Sequence, residues 1–74
     1  MKEITFIVTE DEVDGGFCAR AHWPDGNREI FTEGDTRAEL VKNVREAVDV
    51  SFDADEEKPS LIHLHYIRDE VIAR

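Results

Sequence analysis

The chain alternates apolar and polar residues in three successive runs before it changes period. In residues 3–9, Ile4, Phe6 and Val8 fall on one side, and Thr5, Ile7 and Thr9 on the other. A period of two sends successive side chains to opposite faces, so this run predicts a strand with one core face. Asp14-Gly15-Gly16 ends the charged stretch that follows and signals a turn, because glycine tolerates positive φ. Residues 17–23 alternate again, with Phe17, Ala19, Ala21 and Trp23 opposite Cys18, Arg20 and His22. Two such runs across a Gly-Gly turn predict an antiparallel hairpin. Pro24-Asp25-Gly26-Asn27 is a second turn, in which proline presets φ and Gly26 supplies a left-handed position. Residues 28–33 then predict a third, shorter strand, Ile30 and Thr32 on one side and Phe31 on the other. Its charges suit a sheet edge, where they discourage pairing with other sheets.

The period shifts after Gly34-Asp35-Thr36. Leu40, Val41, Val44, Ala47, Val48 and Phe52 recur at steps of three and four, which is the stripe of an amphipathic helix. Thr36 with Glu39 predicts a capping box at its start. Lys42, Asn43, Arg45, Glu46 and Asp49 are expected on the outer face, and the helix is expected to run to about Phe52. Residues 53–59 read as a solvated acidic connection, ended by Pro59, which cannot continue a helix. Residues 61–68 are expected to form the last main strand, with Ile62, Leu64 and Tyr66 opposite Leu61, His63, His65 and Ile67. Val71-Ile72-Ala73 is expected to add a short terminal strand or to pair with another subunit.

This order predicts an α+β fold, β-β-β-α-β, occupying residues 1–74 as a single domain. Three consecutive strands form an antiparallel meander. A right-handed crossover through the helix returns the fourth strand parallel to the third. Placing it beside the first gives the sheet order 3-2-1-4 with one helix packed on one face. The opposite face would carry Ile7, Cys18, Phe31, Leu61 and Ile67 among polar residues, a candidate dimer or partner surface.

Composition narrows the partners. Eighteen Asp and Glu stand against nine Lys and Arg, a formal charge of −9. Binding phosphates requires clustered Lys and Arg, which no stretch here offers, so direct nucleic-acid binding is not expected. A basic protein partner fits the sign. At 74 residues the core is thin, because chains of this size bury only about 60% of the surface exposed on unfolding, and a partner surface or homo-oligomer would add to it. Cys18 is the only cysteine, which precludes an intrachain disulfide and suits a reducing compartment. The N-terminus lacks a signal-peptide pattern and no apolar run is long enough to span a bilayer, so a cytoplasmic protein without membrane contact is expected.

Three segments in this order resemble the HicB-like antitoxin family. They are Asp14-Gly15-Gly16-Phe17-Cys18-Ala19, Thr32-Glu33-Gly34-Asp35-Thr36-Arg37-Ala38-Glu39-Leu40, and the helix through Ala47. The similarity spans roughly residues 3–68. It implies a partial ribonuclease-H-like fold that has lost catalysis, and an antitoxin role: covering the active site of a small basic toxin that degrades mRNA. Family antitoxins usually carry a C-terminal DNA-binding domain, whereas this chain ends at Arg74 without one, so a single-domain member making protein contacts only is expected. The family's longer Pro-rich second loop is replaced here by Trp23-Pro24-Asp25-Gly26-Asn27. The alternative is a stand-alone dimeric scaffold or regulator that shares only the fold.

Catalytic chemistry finds little footing. His63 and His65 would project from one face of a strand and could hold a metal if His22 or Asp53 converged, but two histidines do not complete a zinc shell. Asp53, Asp55, Glu56 and Glu57 lack the glycine that a calcium loop needs for its sharp turn. A nuclease site of the ribonuclease-H kind would place a metal-binding carboxylate on the first strand, and Ile4 to Val8 supplies none. Cys18 and His22 would stand about 13 Å apart at 3.3 Å per residue, too far for a nucleophile and its base. Cys18 reads as a packing residue and Trp23 as a core edge. The expectation is thus no enzyme, no cofactor, and no catalytic, cofactor-binding or metal-ligating residue.

Overall fold

The computed structural model describes residues 2–11, 13, 15–23, 28–53, 56–68 and 72–74. The elements are β1 (Glu3–Glu10), β2 (Phe17–His22), β3 (Glu29–Gly34), α1 (Arg37–Ser51) and β4 (Leu61–Ile67). They form one four-stranded sheet in the order β3-β2-β1-β4, as the sequence pattern predicts. β1 pairs antiparallel with β2 and parallel with β4, and β2 pairs antiparallel with β3.

Alternation decides which side is covered. Ile4, Phe6 and Val8 of β1, Ala19 and Ala21 of β2, and Ile30 of β3 are buried on the helix side. Leu40, Val44 and Val48 come down on them from α1, and Trp23 and Phe52 close one end with rings 4.9 Å apart in an edge-to-face contact. Such contacts add about 0.5–1.5 kcal/mol beyond the area they remove from water. Trp23 is therefore a core edge, as its place before the turn suggests.

The turns work as their residues imply where they are described. Gly15 sits at φ +76, the conformation for which glycine is suited, and its N–H donates to the Asp11 carbonyl at 2.7 Å. The Trp23 N–H donates to the Arg28 carbonyl at 2.9 Å, closing the β2–β3 hairpin; Pro24-Asp25-Gly26-Asn27 itself lies outside the described residues. At the start of α1 the Thr36 hydroxyl oxygen accepts from the Glu39 N–H at 3.1 Å, the threonine half of the predicted box. Gly34, just before, is buried, and a Cβ there would lie 2.6 Å from the Leu40 nitrogen. Absence of a side chain at Gly34 lets the helix turn back directly onto β3.

Three expectations need correction. Asn43 does not face outward: its Nδ2 donates to the Glu33 carbonyl at 2.7 Å, tying α1 to β3. A polar residue beside the apolar stripe can reach a neighbouring strand when the helix lies that close. The connection after α1 is also more than a solvated acidic run. Glu56 Oε1 accepts from the Asp53 N–H at 2.9 Å, Arg28 grips both Glu56 oxygens at 3.1 and 3.4 Å, and Pro59 is buried. Finally, Ile72 and Ala73 join no strand within the single chain and Ile72 is 80% exposed, so of the two expectations for this run only pairing with another subunit stands; Val71 lies outside the described residues. So short a run makes too few ladder bonds to offset its ordering entropy.

Candidate functional site

Among the described residues the one helix packs on one face, and the other face of the sheet is left open. The strand registers place Arg20 between Ile7 and Phe31, and Ile7 between Arg20 and His65. Thr9 lies between Cys18 and Ile67, and Thr5 beside His63. Apolar residues thus run across all four strands: Phe31 on β3, half-buried Cys18 on β2, Ile7 on β1, and Leu61 and Ile67 on β4. Ile7 is 42% exposed, Phe31 52%, Leu61 45% and Ile67 44%, large values for apolar side chains within a sheet. Ile7, Thr9, Cys18, Arg20, His22 and Phe31 line a shallow depression of about 380 Å³.

Charge frames this apolar band. Arg20 lies over the Phe31 ring at 5.6 Å and meets Glu29 at 3.0 Å. His22 approaches the other Glu29 oxygen at 3.9 Å, and His63 approaches Glu3 at 3.5 Å. All these side chains are about half exposed or more, and pairs in water are worth only about 0–1 kcal/mol each. They can be exchanged for contacts with a partner at little loss. Glu33 sits beside Cys18 at the far corner, so the carboxylates of the face stand on β3 (Glu29 and Glu33) and at the start of β1 (Glu3), and none stands on β4.

The histidines do not converge. His63 and His65 share the open face, but His22 is on β2 with β1 between it and β4, roughly 9.5 Å away at the usual strand spacing. Asp53 follows the end of α1, away from the histidines of β4, and its backbone N–H donates to Glu56 Oε1 at 2.9 Å. Among the described residues no group of three or more His, Cys, Asp or Glu is placed to hold a metal. Of the acidic connection, Asp55 lies outside the described residues and Glu56 is committed to Arg28. The Asp53 N–H and the Arg28 guanidinium hold the Glu56 carboxyl below its ordinary range.

Several contacts were not anticipated from residue spacing alone. Arg28 also stacks on Phe52 at 4.7 Å, joining the hairpin end to the helix end. Arg37, at the start of α1, reaches over Tyr66 of β4 at 5.2 Å, and Phe17 meets the same ring at 6.1 Å. The Arg20–Phe31 contact follows from the hairpin closed at Trp23 and Arg28, which puts those two residues opposite each other.

A UPF0150 protein of Thermotoga maritima is 39% identical over 72 residues, covering 97% of this chain and 93% of its own length. The chain belongs to the UPF0150 family. No family model matches it, and no solved structure matches it. The UPF0150 match runs through every strand, the helix and the open face alike. No described helix is long and apolar enough to cross a membrane.

Proposed function

We propose that this UPF0150 protein is a HicB-like, antitoxin-type binding module that sequesters a small basic protein, of the mRNA-cleaving toxin kind, and that it acts in the cytoplasm by binding rather than by catalysis. The observation that carries the reading is the uncovered sheet face, where exposed Ile7, Phe31 and Ile67 are framed by Glu3, Glu29 and Glu33. The apolar residues supply area to be removed from water, at roughly 25 cal/mol per Å². The carboxylates, within a chain of net charge −9, supply the sign that attracts and orients a basic partner. The Gly-Asp-Thr helix entry and the acidic-Gly-Gly turn, shared with HicB-like antitoxins, support the same reading.

Co-expression with each small basic protein encoded beside this gene tests it. The expected result is co-purification that weakens with salt, relief of the partner's toxicity, and loss of both in a Phe31→Asp variant. No bound protein together with no relief of toxicity would sink the antitoxin reading. That outcome would favour the second reading, a stand-alone dimeric scaffold, for which the outer edge of β4, unpaired among the described residues, is the supporting observation.

A further inference from the structure

β4 ends the sheet, and no described strand pairs with its outer edge. An edge strand presents a row of unpaired N–H and C=O groups, and charged side chains are the usual protection against unwanted pairing. β4 has none: Leu-Ile-His-Leu-His-Tyr-Ile contains no Asp, Glu, Lys or Arg in seven residues. In a chain of net charge −9 this is notable, since β1 and β3 each carry two glutamates. From that edge we infer that two copies of this chain pair β4 to β4, antiparallel about Leu64, merging two sheets into one continuous sheet.

Three observations select a second copy over another partner. The strand without carboxylates is where two chains of charge −9 approach with the least repulsion, and it offers a basic partner no counter-charge. Pairing about Leu64 also sets apolar against apolar on both faces. Leu61 would lie opposite Ile67 of the second copy, Ile62 opposite Tyr66, Leu64 opposite Leu64, and His63 opposite His65. Lastly, the core is incomplete on this side: Ile62 and Leu64 are only half buried, and with Val41, Val44 and Arg45 they line a groove of about 350 Å³ between α1 and β4. Tyr66 and Leu64 of a second copy extend the sheet past that groove and continue its apolar floor.

Sedimentation of the full chain at pH 8, where imidazole is neutral, tests the state, and cysteine pairs test the register. Expected is a species of twice the 8.5 kDa chain mass at micromolar concentration, unchanged by Phe31→Asp on the open face. In a Cys18→Ser background, mixed Leu61→Cys and Ile67→Cys chains should form a disulfide-linked dimer on oxidation. Residues directly opposite across antiparallel strands stand about 4.5–5.5 Å apart at Cα, within disulfide reach. Leu61→Cys alone should not link, since its two thiols would lie roughly 20 Å apart along the strands. A monomer at up to about 100 µM, dissociation by Phe31→Asp, or linkage in Leu61→Cys alone but not in the mixture would each overturn the inference. None of these measurements involves a second protein, so their failure leaves the basic-partner reading standing.

Discussion

The two edges of this sheet are built differently. β3 is the guarded one: two glutamates on six residues, Glu29 held by Arg20, and the Glu33 carbonyl taken by Asn43 of the helix. β4 is longer, carries no charged residue, and keeps Ile62 and Leu64 only half buried. The cause is the length of the two connections to α1. From Gly34 to Arg37 the chain has two intervening residues, so the helix must fold straight back onto β3, and Gly34 permits the close approach to Leu40. From Ser51 to Leu61 it has nine, which reach β4 without bringing the helix over it. Short connections transmit position, and long ones only permit it.

The sharpest test of this contrast is a pair of leucine truncations. Leu40→Ala empties a fully buried site under the helix and should cost about 3–4 kcal/mol, whereas Leu64→Ala on half-buried β4 should cost about 1–1.5 kcal/mol. Urea denaturation of both variants would measure the difference, and equal losses would mean that β4 is as well covered as β3. Next in size are two glycines. Gly34→Ala places a Cβ against Leu40 backbone atoms at 2.6 and 2.8 Å, which cannot swing aside, and should destabilise by about 2–3 kcal/mol. Gly15→Ala meets nothing within 4 Å and pays only for its φ of +76, about 1 kcal/mol. A Gly34→Ala variant as stable as Gly15→Ala would remove the close approach from the account of why the helix sits over β3.

The smallest effect concerns Glu56, which belongs to the long connection. Its carboxyl is held below the ordinary value of 4.5 by the Asp53 N–H first and the Arg28 guanidinium second. A depressed acid stabilises the fold where it is ionised, above its unfolded value, and loses that contribution as the pH falls through the folded one. The thermal midpoint should therefore drop slightly more between pH 6 and pH 3 in the native chain than in Glu56→Gln. Parallel acid limbs would show the Arg28–Glu56 contact to be energetically idle.

What was legible from residues was everything with a short repeat. Ile4, Phe6 and Val8 fall on one face because the strand period is two, and Leu40, Val44 and Val48 on one stripe because the helix period is near four. Thr36 announced the helix start because its hydroxyl reaches an N–H only three residues away. The open face followed by subtraction, since one helix covers one side. Asn43 escaped because a polar helical residue looks alike whether it meets water or a carbonyl ten residues back. Arg28 and Glu56 escaped for a similar reason, being 28 residues apart and brought together by the turn and helix ends.

The sequence by itself thus determined the element order, the core faces, the acidic charge and the uncharged character of β4, all of which are local or additive. Tertiary structure alone decided that the helix leans over β3, leaving a groove beside β4. It also decided that Arg28, Glu56 and Phe52 lock the hairpin end to the helix end. Those arrangements depend on where a connection lets a helix settle on a sheet, and no residue pattern of short range encodes that distance.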